Sequence, residues 1–285
     1  MNVLAVVLGS ILILYSCILF FLLFYALNAS LKTYTGFSLD PVGITKNFQI
    51  SNYVDAFRGI RQAVKIGGKD YYIYLPEMFW NSILYAVGCA FFATLAPCLV
   101  AYATARFKFR FNSVIYGIVI FAMVTPIVGN LPSQVEMTKK LGLYDSMFGM
   151  YFLSFTFLGT YYLIFHATFK SLSQEYADAA AVDGASQFTT MVRIMFPLVK
   201  STFFVIFLML FISYWNEYQT PMLFMPNQPV AAVGVQFFSF TAEPQYRSVP
   251  IQLAGSMLLL IPILVLFTLF RNKLSGNLTV GVIKG

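Results

Sequence analysis

The chain has 285 residues, 59% of them hydrophobic and only 10% charged, with a mean hydropathy of +0.75. A soluble domain carries about 25% charged residues, so this composition excludes an ordinary soluble protein and places the chain in a membrane. The formal charge of +7 does not indicate nucleic acid, because the basic residues are scattered between apolar runs rather than gathered on one stripe. They mark loops and lipid headgroups instead.

The first apolar run, Val3–Leu27, carries no charge. It exceeds the about 7–15 residues of a signal-peptide core and has no basic residues before it, so a retained helix is expected. Residues 28–79 mix aromatics, glycines and charges and are expected to form a small cap outside the membrane. Within them Gly67-Gly68-Lys69-Asp70 does not make a phosphate loop. Ala63 stands where that motif needs its first glycine, and Asp70 where it needs Ser or Thr. A polar turn is the reading.

A membrane-crossing helix needs about 20 apolar residues. Five further runs qualify: Trp80–Ala103, Ser113–Leu131, Met147–Phe165, Thr202–Met222 and Ile251–Phe270. The predicted fold class is all-α, a polytopic membrane protein with six transmembrane helices. The whole of 1–285 is read as a single transmembrane domain, with a loop at 167–200 and a tail at 271–285. Basic residues divide evenly between the two sides, but one set clusters in short loops such as Arg106-Phe107-Lys108-Phe109-Arg110. That set marks the cytoplasm, so both termini and the 167–200 loop are expected inside. Cys17, Cys89 and Cys98 all fall in apolar runs, without metal or disulfide spacing, and read as small buried hydrophobes.

The stretch from Gln174 to Ser186, QEYADAAAVDGAS, differs from its greasy surroundings. Ser171 and Gln174 fit a capping box for a helix starting near Leu172. Glu175 suits the positive end of the helix dipole, and the alanines favour the helix. Gly184 ends it, and Ser186 caps a second short helix that runs to Pro197. A cytoplasmic helix-turn-helix is therefore expected between spans four and five. The alanines keep it slim enough for a partner's groove. The plain alternative is a solvated loop helix.

The stretch Glu175–Ser186, followed by Ile194-Met195-Phe196-Pro197, resembles the cytoplasmic EAA loop of ABC importer permeases. Other segments agree. Phe48–Phe57, Trp80-Asn81-Ser82, Trp215-Asn216-Glu217-Tyr218 and Gly276–Gly285 are similar to elements of the smaller six-span permease subunit of maltose-type carbohydrate importers. The sequence departs from that pattern in four places: Asp178 replaces the loop's first glutamate, Ser173 a proline, Tyr176 a leucine, and Ser201 the proline of a Lys-Pro pair.

The resemblance implies a non-catalytic permease subunit in a bacterial cytoplasmic membrane, taking up a carbohydrate, with an oligosaccharide expected. The implied partners are a homologous second permease, two copies of an ATPase subunit, and an extracellular or lipid-anchored solute-binding protein. This chain binds no cofactor of its own; ATP and magnesium belong to the ATPase. The implied coupling residues are Glu175, Asp178, Ala179, Ala180, Asp183, Gly184, Ile194 and Pro197, with Gly281–Gly285 a second contact. A permease for another solute, such as a glycerol phosphodiester or phosphate ester, is the alternative.

An ion-coupled carrier is a further rival. Such carriers place ionisable groups inside spans, and here the spans hold little beyond Glu217, with His166 at an inner end. No paired broken helices are evident. An intramembrane enzyme lacks a Ser-His or Cys-His pair and an H-E-x-x-H run. For the substrate path, Tyr214, Trp215, Asn216, Glu217, Tyr218 and Gln219 combine stacking with hydrogen bonding. Thr125, Asn130, Thr156, Thr160 and Tyr161 would add polar lining. The same aromatics equally suit an interfacial belt.

Overall fold

The structure is a computed structural model describing residues 3–107, 109–125 and 129–278, with side chains as far as residue 270. Lys108 and the expected tail contact Gly281–Gly285 lie outside the described residues. The chain packs as two compact units, residues 1–79 with 229–265, and residues 80–228 with 266–285.

The first unit opens with α1 (Val3–Ser30), α2 (Tyr34–Leu39) and α3 (Ser51–Gly59), followed by strands β1 (Arg61–Ile66) and β2 (Lys69–Tyr74). The strands pair antiparallel from Arg61↔Tyr74 to Ile66↔Lys69. Gly67 and Gly68 make the turn with φ of 59° and 79°, the two-residue geometry that matches strand twist. The turn agrees with the sequence reading, whereas the hairpin corrects the all-α expectation. Later in the chain this unit holds α13 (Ala231–Gln236), α14 (Phe238–Thr241) and the start of α15 (Val249–Leu278). Its core gathers Ile60, Leu75, Met78, Val235, Phe238 and Ile251. Asn52 is buried and donates from Nδ2 to the carbonyls of Ser30 and Lys32, at 2.8 Å each.

The second unit takes up α4 (Leu75–Arg106) from Trp80 onward, then α5 (Asn112–Val124), α6 (Leu131–Lys140), α7 (Met147–Ser154) and α8 (Thr160–Ser171). Next come α9 (Glu175–Val182), α10 (Gln187–Thr190), a π-helical turn (Met191–Met195), α11 (Phe196–Asn216) and α12 (Gln219–Phe224). The core here is Cys98, Ala101, Tyr102, Tyr162, Phe165, Phe169, Met195 and Val199, among others.

Among the described residues, four helices are long and apolar enough to cross a membrane: Val3–Ser30, Leu75–Arg106, Gln187–Asn216 and Val249–Phe270. Three of the six expected spans differ from their predicted form. The third shortens to the 13 residues of α5. Thr125 precedes a proline and leaves the helix with ψ 112°, the extended backbone that a following proline imposes. The fourth breaks into α7 and α8 around residues 155–159, where Phe155 leaves the helix and Gly159 has φ 140°. The fifth ends at Asn216, not Met222, because the Glu217 carboxylate accepts from the N–H groups of Gln219 (2.9 Å) and Thr220 (3.2 Å) and starts α12. Cys89 and Cys98 are buried as expected, but Cys17 is exposed.

Candidate functional site

The polar stretch between α8 and α11 folds as two helices around a sharp turn. The expected capping box does not form. Ser171 is the last residue of α8 and donates its hydroxyl to the Thr168 carbonyl at 2.8 Å. The hydroxyl that meets α9 is that of Ser173, which accepts from Glu175 N–H at 3.2 Å. At the far end α9 closes with a Schellman pair. Ala185 N–H bonds the Ala180 carbonyl at 2.9 Å, and Gly184 N–H bonds the Ala181 carbonyl at 3.1 Å. Gly184 has φ 76°, a left-handed conformation in which a Cβ is strained, and this pair satisfies carbonyls the helix end would leave open. Ser186 then caps α10, accepting from Thr189 N–H at 3.1 Å. Both stops are local, so the elbow has one defined shape.

Of the predicted coupling residues, Glu175, Asp178, Ala179, Asp183, Gly184 and Pro197 are exposed, Ile194 is half-buried and Ala180 is buried. Ala180 seats α9, and the three carboxylates stay in solvent. Pro197 lies in the first turn of α11, where its missing N–H costs little. Two residues that the sequence reading passed over stand out on either side of Gly184: Val182 is 88% exposed and Phe188 is 71% exposed. Apolar residues flanking a glycine in a polar stretch were the available signal. The elbow thus presents two apolar side chains and three carboxylates together.

A second feature of the same unit is a cleft of about 170 Å³ walled by α4, the break between α7 and α8, and α11. Ala93, Pro97, Ser154, Thr156, Tyr161 and Tyr214 contribute to its lining. Pro97 sits inside α4 and has no N–H to give the carbonyl of Ala93, so the helix ladder is interrupted at the wall. Of the predicted substrate-path residues, Tyr214, Thr156 and Tyr161 line this cleft; Trp215, Asn216, Glu217, Tyr218 and Gln219 do not. Trp215 is buried and stacks on Phe211 with ring centroids 5.7 Å apart. Asn216 donates to the Ile212 carbonyl at 2.8 Å, and Glu217 caps α12. Thr125, Asn130 and Thr160 also lie off the cleft.

Long apolar helices, a helix broken beside a hydroxyl-lined cleft, and an exposed elbow between two of the helices are the features of a polytopic membrane protein. The chain belongs to the family of binding-protein-dependent transport system inner membrane components, whose pattern matches residues 81–278. It is 24% identical over 276 residues to the arabinooligosaccharides transport system permease protein AraQ of Bacillus subtilis, covering 96% of this chain and 92% of that protein. To the sn-glycerol-3-phosphate transport system permease protein UgpE of Escherichia coli it is 26% identical over 204 residues, 70% of this chain and 72% of that one. The fold matches a chain of a bacterial ABC transporter involved in the import of the acidic polysaccharide alginate. The TM-score is 0.75 at 18% identity, over 95% of this chain and 96% of that chain.

Proposed function

We propose that this chain is the permease subunit of an ATP-driven importer that takes up a carbohydrate, and that the elbow at 175–187 receives the work of a separate ATPase. The observation that carries the reading is the doubly stopped elbow, within a chain of this family. A flexible loop would absorb motion, whereas a helix closed by a Schellman pair and followed by a capped helix transmits it. Glu175, Asp178, Asp183, Val182 and Phe188 supply the docking surface, with the elbow on the cytoplasmic side. A second homologous permease, two ATPase copies and an external solute-binding protein complete the assembly.

Similarity to a glycerol-phosphate permease raises a phosphate ester as a second substrate class. The cleft lining argues for a neutral polyhydroxyl compound, because among the described residues it offers hydroxyls and aromatic rings and no Lys or Arg. Its volume is below the about 300–1,000 Å³ of a site that encloses a drug-sized ligand, so it suits a single sugar ring of a longer chain.

The test is Asp178→Lys combined with Gly184→Pro. Insertion in the membrane should be retained while uptake and ATP hydrolysis in the assembled transporter are lost. Normal uptake by the correctly inserted double variant would remove the elbow from the mechanism. Co-purification with the products of neighbouring genes, then sugar binding to the captured binding protein, identifies the substrate.

A further inference from the structure

The elbow is joined to the rest of the second unit by two covalent paths, back into α8 and forward through the π-helical turn into α11. Helix α4 has no such link. It ends at Arg106, some 66 residues before Leu172, so motion of the elbow reaches α4 only through side-chain contacts. Arg106 makes them. Its guanidinium donates to Gln174 Oε1 at 3.0 Å, to the Leu172 carbonyl at 3.1 Å and to the Ser173 carbonyl at 3.4 Å, and it lies 3.8 Å from Met195 Sδ. Leu172 and Ser173 follow the last turn of α8, where carbonyls lack helical partners and a cation is favoured. Gln174 in turn donates from Nε2 toward Asp178 Oδ1 at 3.5 Å.

A basic residue that only marks the cytoplasmic side points into water or toward headgroups. Arg106 instead is half-buried and turned onto two separate segments, 172–174 and the π-helical turn at Met195. A planar fork with five donors serves several acceptors at once, which an ammonium on a flexible stem does less well. The end of α4 is itself held firmly. Asn112 Nδ2 donates to the carbonyls of Phe107 (2.6 Å) and Thr104 (3.2 Å). The Thr104 hydroxyl lies 2.9 Å from the Tyr162 hydroxyl. Tyr102 meets Phe107, Phe169 and Phe196 edge to face. Further along the same helix, Ala93 and Pro97 form part of the cleft wall.

We propose that Arg106 is a positioning residue that makes α4 move as one body with the elbow. The path runs from Asp178 through Gln174 to Arg106 and along α4 to Ala93 and Pro97 at the cleft. This inference rests on the coupling role proposed above for the elbow.

The test uses the assembled transporter in lipid nanodiscs, with spin labels at Gln187→Cys on the elbow, exposed and outside the proposed docking residues, and Phe91→Cys on α4, in a background where Cys17 is Ser. With Arg106 present, the label-to-label distance should be one narrow distribution, the same without nucleotide and with ATP plus vanadate. R106Q should shift or split that distribution on ATP binding. R106K, which keeps the charge, should give an intermediate broadening. Q174A, at an exposed residue where folding is not at stake, should broaden it less. A distance that already changes with ATP when Arg106 is present overturns the proposal. So does an unchanged distribution in both R106K and Q174A, whether or not R106Q assembles. If no ATPase co-purifies with the labelled chain, the coupling reading itself fails, which is a different result from an ATPase-bound transporter that ignores Arg106.

Discussion

Helices α1 and α4 are both long and apolar, yet they relate to the protein in opposite ways. The most apolar stretch of α1 has a mean hydropathy of 2.8 and none of it is buried; that of α4 has 2.1 and half of it is buried. The difference lies in residue size. α1 carries Leu, Ile, Val and Phe on every side, whereas α4 buries Ala86, Cys89, Ala90, Ala96, Cys98 and Ala101. Lipid chains are as apolar as leucine, so apolarity alone gives a membrane helix no reason to choose protein over lipid; small residues that allow close approach do. Gly88 shows the extreme case, since a Cβ there would lie 2.1 Å from the Tyr151 ring, whose hydroxyl donates to the Leu84 carbonyl at 3.0 Å.

Two paired substitutions and one single substitution sharpen this contrast. The largest effect is expected from Gly88→Leu, which should cost roughly 3 kcal/mol as an overpacked contact, read as lower thermal stability of the purified chain in detergent. Gly9→Leu in α1, where nothing lies within 4 Å, should leave that stability unchanged, and an equal loss would contradict the contrast. Pro97→Ala should restore the helix ladder beside the cleft and remove an acceptor from its wall. About 1 kcal/mol for one hydrogen bond corresponds to a roughly fivefold rise in the KM for uptake, with stability held or improved. The smallest effect is Thr104→Val, which breaks the bond to Tyr162 and should cost about 0.6 kcal/mol, the usual worth of a hydrogen bond between membrane helices. Its counterpart Ser10→Val removes only a bond to the helix's own Val6 carbonyl and should change nothing measurable.

Much of this was legible in the chain itself, and the gaps have identifiable causes. Hydropathy finds α1, α4 and α15, because each is a continuous apolar run. It reads straight through residues 155–159, because Phe155, Phe157 and Leu158 are apolar while the break is a matter of backbone angles at Phe155 and Gly159. The Gly67-Gly68 turn was recognised without its strands, although two six-residue runs parted by two glycines is a hairpin pattern. In the elbow, Gly184 and Ser186 act as the sequence predicts, whereas the cap expected of Ser171 is supplied in part by Ser173. The cleft and the Arg106 contacts depend on segments far apart in sequence. Arg106 therefore looked like one more charge among loop charges, and Tyr214 could not be separated from Trp215 until the packing set one at a wall and the other in the interior.

The π-helical turn at Met191–Met195 sits between the elbow and α11, and such a turn is an α-helix that has taken in an extra residue. It gives the joint a tolerance in length that its neighbours lack. Deleting one residue there would let the turn relax to α pitch with the faces on either side still aligned. The same deletion in the middle of α11 would swing everything before it by about 100°. Chain-length variation between elbow and α11 can therefore be absorbed at this one place without turning the elbow relative to that helix.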